Sequence, residues 1–188
     1  TSSSFEVRRI EVTGNRRVGR EEILKRAGIE EGANIFTIDV EKAARAIESH
    51  PWIKGVTVKR SLPGRIVIHV VERTAAAVFR GEKLMLVDAS GEIFKPLERG
   101  DPVDLPVITP SGGTGAVSPS AAVETAFRVL GLAAGSGMLP ESAVSEVVVG
   151  KGGVDVLCAG TPYLVKMGSD DIERAWVRLE VVLADARR

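Results

Sequence analysis

Apolar residues in the first seventy positions alternate between two spacings, and the changes mark five elements. Val7, Ile10 and Val12 stand among charges in FEVRRIEV, which predicts a strand over residues 5–12 ending in the turn cluster Thr13-Gly14-Asn15. Ile23, Leu24 and Ala27 share one helical side, with Glu21 and Glu22 in the opening turn and Gly28 as a stop. Asp39 is placed to cap a second helix carrying Val40, Ala43, Ala44 and Ile47, and Pro51 prevents its continuation. Two-residue alternation then returns: Val56 and Val58 on one strand, Ile66, Ile68 and Val70 on the next, joined at Pro63-Gly64, where the glycine is expected at positive φ. Strand, helix, helix, strand, strand can bury two amphipathic helices only by laying both on one face of a three-stranded sheet. Thr57, Lys59, Arg65 and His69 fall on the opposite, wet face, with Val67 and Val71 as apolar exceptions.

After Arg73 the pattern is mostly of strands: AAAVF, KLMLVD and EIFKPL, the last two joined by the turn Asp88-Ala-Ser-Gly91. A proline-punctuated connection from Asp101 to Pro110 and the loop SGGTGAVSPS follow. Ser118 or Ser120 opens a helix with Val123, Phe127 and Leu130 on one side. A meander of SEVVV, VDVLCA and YLVKM leads to a last helix with Ile172, Trp176, Leu179 and Leu183 in register and Ser169, Asp170 and Asp171 at its start. The expected class is α+β: a β-α-α-β-β domain over residues 1–73, then a mainly antiparallel β domain with two helices over residues 74–188.

Composition is that of a globular protein, 44% hydrophobic and 27% charged over 188 residues with a formal net charge of zero. Residues 1–73 hold fourteen Lys and Arg against ten Asp and Glu, a mild excess. With aromatics at 4% and the cations scattered, nucleic-acid binding is not expected. Cys158 is the only cysteine, so no disulfide forms within the chain. No run of about 20 apolar residues is present, and Thr1-Ser-Ser-Ser4 does not read as a signal peptide. The chain reads as a soluble piece of a longer protein.

Candidate chemistry is sparse. His50 ends a helix and His69 sits mid-strand, so both read as structural or solvated. Cys158 lies in an apolar strand with no basic neighbour to activate it. The glycine clusters SGGTG and GKGG lack the phosphate-loop pattern. Glu21-Glu22, Glu30-Glu31 and Asp170-Asp171 suit helix termini, and Trp52 and Trp176 occupy apolar positions of their segments. No catalytic, cofactor or metal site is expected, nor a small-molecule substrate. Function is expected in surfaces, above all in unpaired strand edges to which another chain can add.

IEVTGNRRVGREEI, the segment Asn34-Ile35-Phe36-x-x-Asp39, HPWIKGVTVKRSLPGRIVIHVVER and LMLVDASGEIF together resemble the extracytoplasmic part of the FtsQ/DivIB family of bacterial cell-division proteins. The resemblance spans essentially the whole chain and implies a polypeptide-transport-associated (POTRA) domain followed by the family's β domain. Ala75 departs from it where a proline is common, and the sequence stops before a further strand that the resemblance places after the helix of Trp176. Also implied are a single-pass inner-membrane protein with its span N-terminal to this sequence, a periplasmic body enriched at the septum, and a non-enzymatic scaffold. Its implied partners are FtsB (DivIC in some bacteria), FtsL and FtsK. The POTRA arrangement makes Arg65 to Val71 central and leaves Val56 to Arg60, including Val58 and Lys59, as an outer edge. Tyr163 to Met167, expected to lie against that further strand, forms a second candidate docking ladder, with Tyr163, Val165 and Trp176 as expected hot spots there and Val58 and Lys59 as those of the first. A POTRA-type chaperone of an outer-membrane assembly or secretion protein is the alternative.

Overall fold

Asp39 shows how local chemistry sets the first elements: its carboxylate accepts the Glu41 and Lys42 backbone N–H groups and starts a helix where the sequence places it. The computed structural model describes residues 5–112, 117–136, 144–159, 164–168 and 171–186. Residues 113–116 of the Gly/Ser loop, Tyr163, Ser169 and Asp170 lie outside the described residues. The chain divides into two compact units, Thr1–Thr74 and Ala75–Arg188.

The first unit contains β1 (Arg9–Thr13), α1 (Arg20–Ala27), α2 (Val40–Glu48), β2 (Ile53–Ser61) and β3 (Arg65–Glu72). Strand order is β1-β3-β2, with β1 parallel and β2 antiparallel to the central β3. Ile66, Ile68 and Val70 on β3 join Ile23, Ile35 and Ile47 in the core, all nearly inaccessible. Arg65, His69 and Val71 are exposed on the other face.

Two expectations are corrected here. The strand expected from residue 5 begins at Arg9, because the preceding residues bond elsewhere. Val7 N–H donates to Ala33 O, Ile35 N–H to Phe5 O, and Arg8 N–H to Gly64 O. Gly64 does not take positive φ; the turn contains a cis Leu62-Pro63 bond. What Gly64 supplies is space, since a Cβ there would lie 2.5 Å from Glu6 O.

Glu72, at the end of β3, ties the turn after β1 to the sheet. Its carboxylate accepts the N–H groups of Arg16 (3.0 Å), Arg17 (2.9 Å) and Val18 (2.9 Å). The Arg17 guanidinium also lies 3.7 Å from the centre of the Trp52 ring. Burial would raise the Glu72 pKa, but the Val18, Arg17 and Arg16 donors together outweigh it and hold the carboxyl below its ordinary value. A lowered folded-state pKa gives stability that is complete above the unfolded value, about pH 4.3, and is lost as pH falls through the folded one. Glu72→Gln is therefore expected to cost about 1 kcal/mol at pH 7 in urea unfolding, with the difference from the parent closing below about pH 4.

The second unit contains β4 (Ala75–Arg80), β5 (Leu84–Asp88), β6 (Ile93–Pro96), β7 (Val107–Pro110), α3 (Pro119–Gly135), β8 (Val144–Gly150), β9 (Gly153–Cys158), β10 (Leu164–Gly168) and α4 (Ile172–Ala186). Seven strands form one sheet in the order β10-β9-β8-β7-β4-β5-β6. Ser118, not Ser120, caps α3 through the Ala121 N–H. The buried side of α3 runs through Ala122, Ala126, Val129 and Ala133 as well as Val123 and Leu130, while Phe127 is only partly covered. These small residues seat α3 closely on the sheet.

β7 is a correction. Its four residues fall inside the segment expected as a connection, yet β7 lies mid-sheet and is parallel to both β4 and β8. Pro106 and Pro110 bracket the strand, and Ile108 between them is fully buried. The β4–β5, β5–β6, β8–β9 and β9–β10 pairs are antiparallel, as a mainly antiparallel domain requires.

Candidate docking edges

A strand at the border of a sheet presents main-chain groups that its own chain leaves unbonded, so the two sheets define four borders: β1, β2, β6 and β10. Arg20 Nη2 donates to Ile10 O on β1 (2.9 Å), covering part of that border. β6 has four residues and ends in Pro96, which has no N–H to offer.

β2 is obstructed at one point. Val56 N–H donates to Glu48 Oε1 of α2 (3.2 Å), so the Val56 main chain points away from β3. By alternation, the main chains of Val58 and Arg60 point outward as well. The side chains expected to mark this edge sit otherwise than their roles require. Val58 is buried opposite Ile68, and Val56 is half-buried opposite Val70. Arg60 donates through Nε to Ile35 O (3.0 Å) and through Nη2 to Ile38 O, holding the loop before α2. Lys59, opposite Val67, and Thr57, opposite His69, present exposed side chains on the wet face.

β10 is the longest border of the larger sheet and pairs, among the described residues, with β9 alone. Val165 faces Val156, and Met167 faces Val154, so both side chains point to the core under α4. Met167 is 6% exposed and Trp176 is 2% exposed. Trp176 is therefore a core residue holding α4, and Met167 offers its backbone to the ladder and not its side chain. Tyr163, the remaining expected hot spot, lies outside the described residues.

The accessible side chains of β10 are Leu164, 48% exposed, and Lys166, 3.8 Å from Asp155. Strand alternation in LVKM puts them on the face opposite Val165 and Met167, a signal the sequence carries. α4 adds exposed Val177 and Val181 on its outer side. An open cleft of about 350 Å³ lies at the end of this border, walled by Ser111, Gly150, Asp155, Lys166 and Met167.

The two histidines and the cysteine are engaged within the fold. His50 Nδ1 accepts the Trp52 N–H (3.2 Å), leaving Nε2 to carry the proton toward Glu22 (3.4 Å). His69 Nδ1 lies 3.0 Å from Thr13 Oγ1 across β1 and β3. Burial pushes the Cys158 thiol pKa up, away from reactivity. Among the described residues no group of three or more metal-ligating side chains forms, and no helix is long and apolar enough to cross a membrane.

A β-α-α-β-β unit with two helices on one sheet face, followed by a seven-stranded mixed sheet carrying two more helices, is the architecture of a POTRA domain joined to a β domain. Residues 5–73 match the family described as POTRA domain, FtsQ-type, and residues 76–188 match Cell division protein FtsQ/DivIB, C-terminal. The chain belongs to the FtsQ/DivIB family of cell-division proteins. It is similar to Cell division protein FtsQ of Syntrophotalea carbinolica, 37% identical over 186 residues that cover 96% of this chain and 66% of that protein. FtsQ of Geotalea daltonii is 32% identical over 93% of this chain and 66% of its own length. FtsQ of Myxococcus fulvus is 36% identical over 68% of this chain and 45% of its own length. The chain thus spans about two thirds or less of these curated relatives.

Proposed function

We propose that this chain is the extracytoplasmic body of a non-enzymatic division scaffold, which acts by lending the border of β10 to an extended segment of a partner. The partner class is that of FtsB (DivIC), FtsL and FtsK, with the outward main chain of Val58 and Arg60 on β2 as a second candidate border. A membrane span N-terminal to this sequence would hold the body on the periplasmic side of the inner membrane, at the septum, where partner capture bears on cell-wall synthesis. The observation that carries this reading is that β10 is outermost and pairs with β9 alone among the described residues.

Magnitudes limit what the backbone does by itself. Four or five net hydrogen bonds of about 0.5–1.5 kcal/mol each cover only the lower part of an association penalty of about 4–15 kcal/mol. Apolar burial must supply the rest, and exposed Leu164, Val177 and Val181 are available for it at about 1.5–3 kcal/mol per fully covered side chain.

A proline at Lys166 removes an outward donor from β10 and locks φ: the Ser111 N–H bonds Val149 O, so alternation through β8 and β9 turns the Val165 N–H toward β9 and the Lys166 N–H away from it. Lys166→Pro is expected to weaken binding of an FtsB-type peptide by more than about tenfold in titration calorimetry, while Val58→Pro leaves that affinity unchanged. Undiminished affinity in a folded Lys166→Pro protein rules out β10 as the docking border.

A further inference from the structure

The outer side of α4 is apolar where its own unit leaves it uncovered. Ile172, Trp176 and Leu179 turn inward at helical spacing and pack into the core. Val177, Val181 and Val182 lie on the other side, 60%, 66% and 62% exposed. Valine is a weak helix former, so neither local preference nor packing among the described residues accounts for three of them so close together.

Two charges of α4 are engaged within the chain: Glu173 with Arg128 of α3 (2.6 Å) and Arg174 with Asp171 (3.0 Å). Arg178 and Asp185 are exposed beside the valines and have no ion-pair partner among the described residues. Seven positions put them on one line of the helix but about 10 Å apart, beyond each other's reach. Glu180 is half-buried and lies well around the helix from that line. The midpoint of Arg178 and Asp185 falls between Val181 and Val182. A two-fold axis there opposes Arg178 of one copy to Asp185 of the other, at both ends of a contact centred on four valines. A parallel pairing would oppose like charges instead.

We propose that a second copy of this chain pairs with the first through α4, antiparallel, with Val181 and Val182 packed at the centre and an Arg178–Asp185 ion pair at each end. One helix pair is a small interface, so the dimer is weak in solution, with a dissociation constant of about 10–100 µM. The inference does not rest on edge pairing, because no peptide enters its test. The two meet at Val181: a β10 partner that covers this side chain has to part the copies.

That test is sedimentation equilibrium of the full 188-residue chain from about 5 to 500 µM, where a monomer–dimer equilibrium is expected. Arg178→Asp and Asp185→Arg are each expected to weaken it about tenfold by opposing like charges. The double variant restores both ion pairs with their signs exchanged and is expected to return to within about twofold of the parent. Val181→Ser combined with Val182→Ser is expected to weaken it more than about tenfold. Unchanged thermal unfolding checks that the variants are folded. Mild oxidation reports the geometry, since the native Cys158 is buried. Val181→Cys is expected to give a disulfide-linked dimer and Val177→Cys none, its two copies lying roughly 13 Å apart along the helices. A chain that stays monomeric at about 500 µM overturns the proposal. So does self-association that the double charge variant fails to restore, or linkage of Val177→Cys as readily as Val181→Cys, the mark of a parallel pairing. Dimerisation indifferent to all of these variants belongs to another face, such as the β10 border, and overturns it too.

Discussion

Gly153→Ala is expected to destabilise the second unit by about 3 kcal/mol and to weaken partner binding at β10 by more than about tenfold. Gly153 opens β9 at φ +141°, opposite Gly168 at the end of β10. A Cβ there would lie 2.0 Å from Met167 O and 3.0 Å from Gly168 Cα, and backbone atoms cannot swing aside as a side chain can. Relief requires either straining a backbone region that favours glycine, at about 1–3 kcal/mol, or opening the end of the β9–β10 ladder. Both displace the border on which docking depends. Gly152→Ala, one residue earlier, has nothing within 4 Å of its new methyl and is expected to stay within about 0.5 kcal/mol of the parent. Urea unfolding followed by Trp176 fluorescence in a Trp52→Phe background separates this unit from the first.

Lys95→Met is expected to cost about 3 kcal/mol or more, for a different reason. Lys95 faces Leu86 across β5 and β6 and is only 7% exposed. Its ammonium donates to Glu98 (3.1 Å) and to Asp101, whose carboxylate also accepts the Glu98 N–H (2.9 Å). Methionine would fill the space but leave the Asp101 carboxylate covered and without its cation. Adding Asp101→Asn, which removes the charge and keeps an acceptor for the Glu98 N–H, is expected to recover most of the loss. Burial pulls the Lys95 pKa down, but the hydrogen bonds and charges of Asp101 and Glu98 outweigh it and raise it above the ordinary lysine value. A raised folded-state pKa means that this stability is complete below about pH 10.4 and fades as pH rises through the folded value. The gap between parent and Lys95→Met in thermal unfolding is expected to be constant from neutral pH to about pH 9 and to narrow beyond pH 10.4.

How far the sequence could be read depended on the length of each periodic run. α2 was legible because Asp39, Ala43, Ile47 and Pro51 encode its start, its inner face and its end within thirteen positions. The β2–β3 hairpin was legible because the buried positions of β3, Ile66, Ile68 and Val70, alternate with less buried ones along Arg65 to Glu72. β7 was hidden: four residues between two prolines carry no measurable period, and a parallel strand in mid-sheet takes its identity from neighbours remote in the chain. At the candidate borders, alternation identified the strands but not the useful face. Val58, Met167 and Trp176 drew attention as apolar residues, and being apolar is what buries them. Leu164 and Lys166 occupy the accessible face, which only the pairing of β10 with β9 reveals.

Residue-resolved amide exchange of the parent protein, with and without a saturating FtsB-type peptide, tests edge pairing most directly. Slowed exchange is expected at alternate amides of Leu164 to Gly168, those that face away from β9, with β2 and β6 unchanged. Exchange along β10 that is the same with and without bound peptide would contradict it.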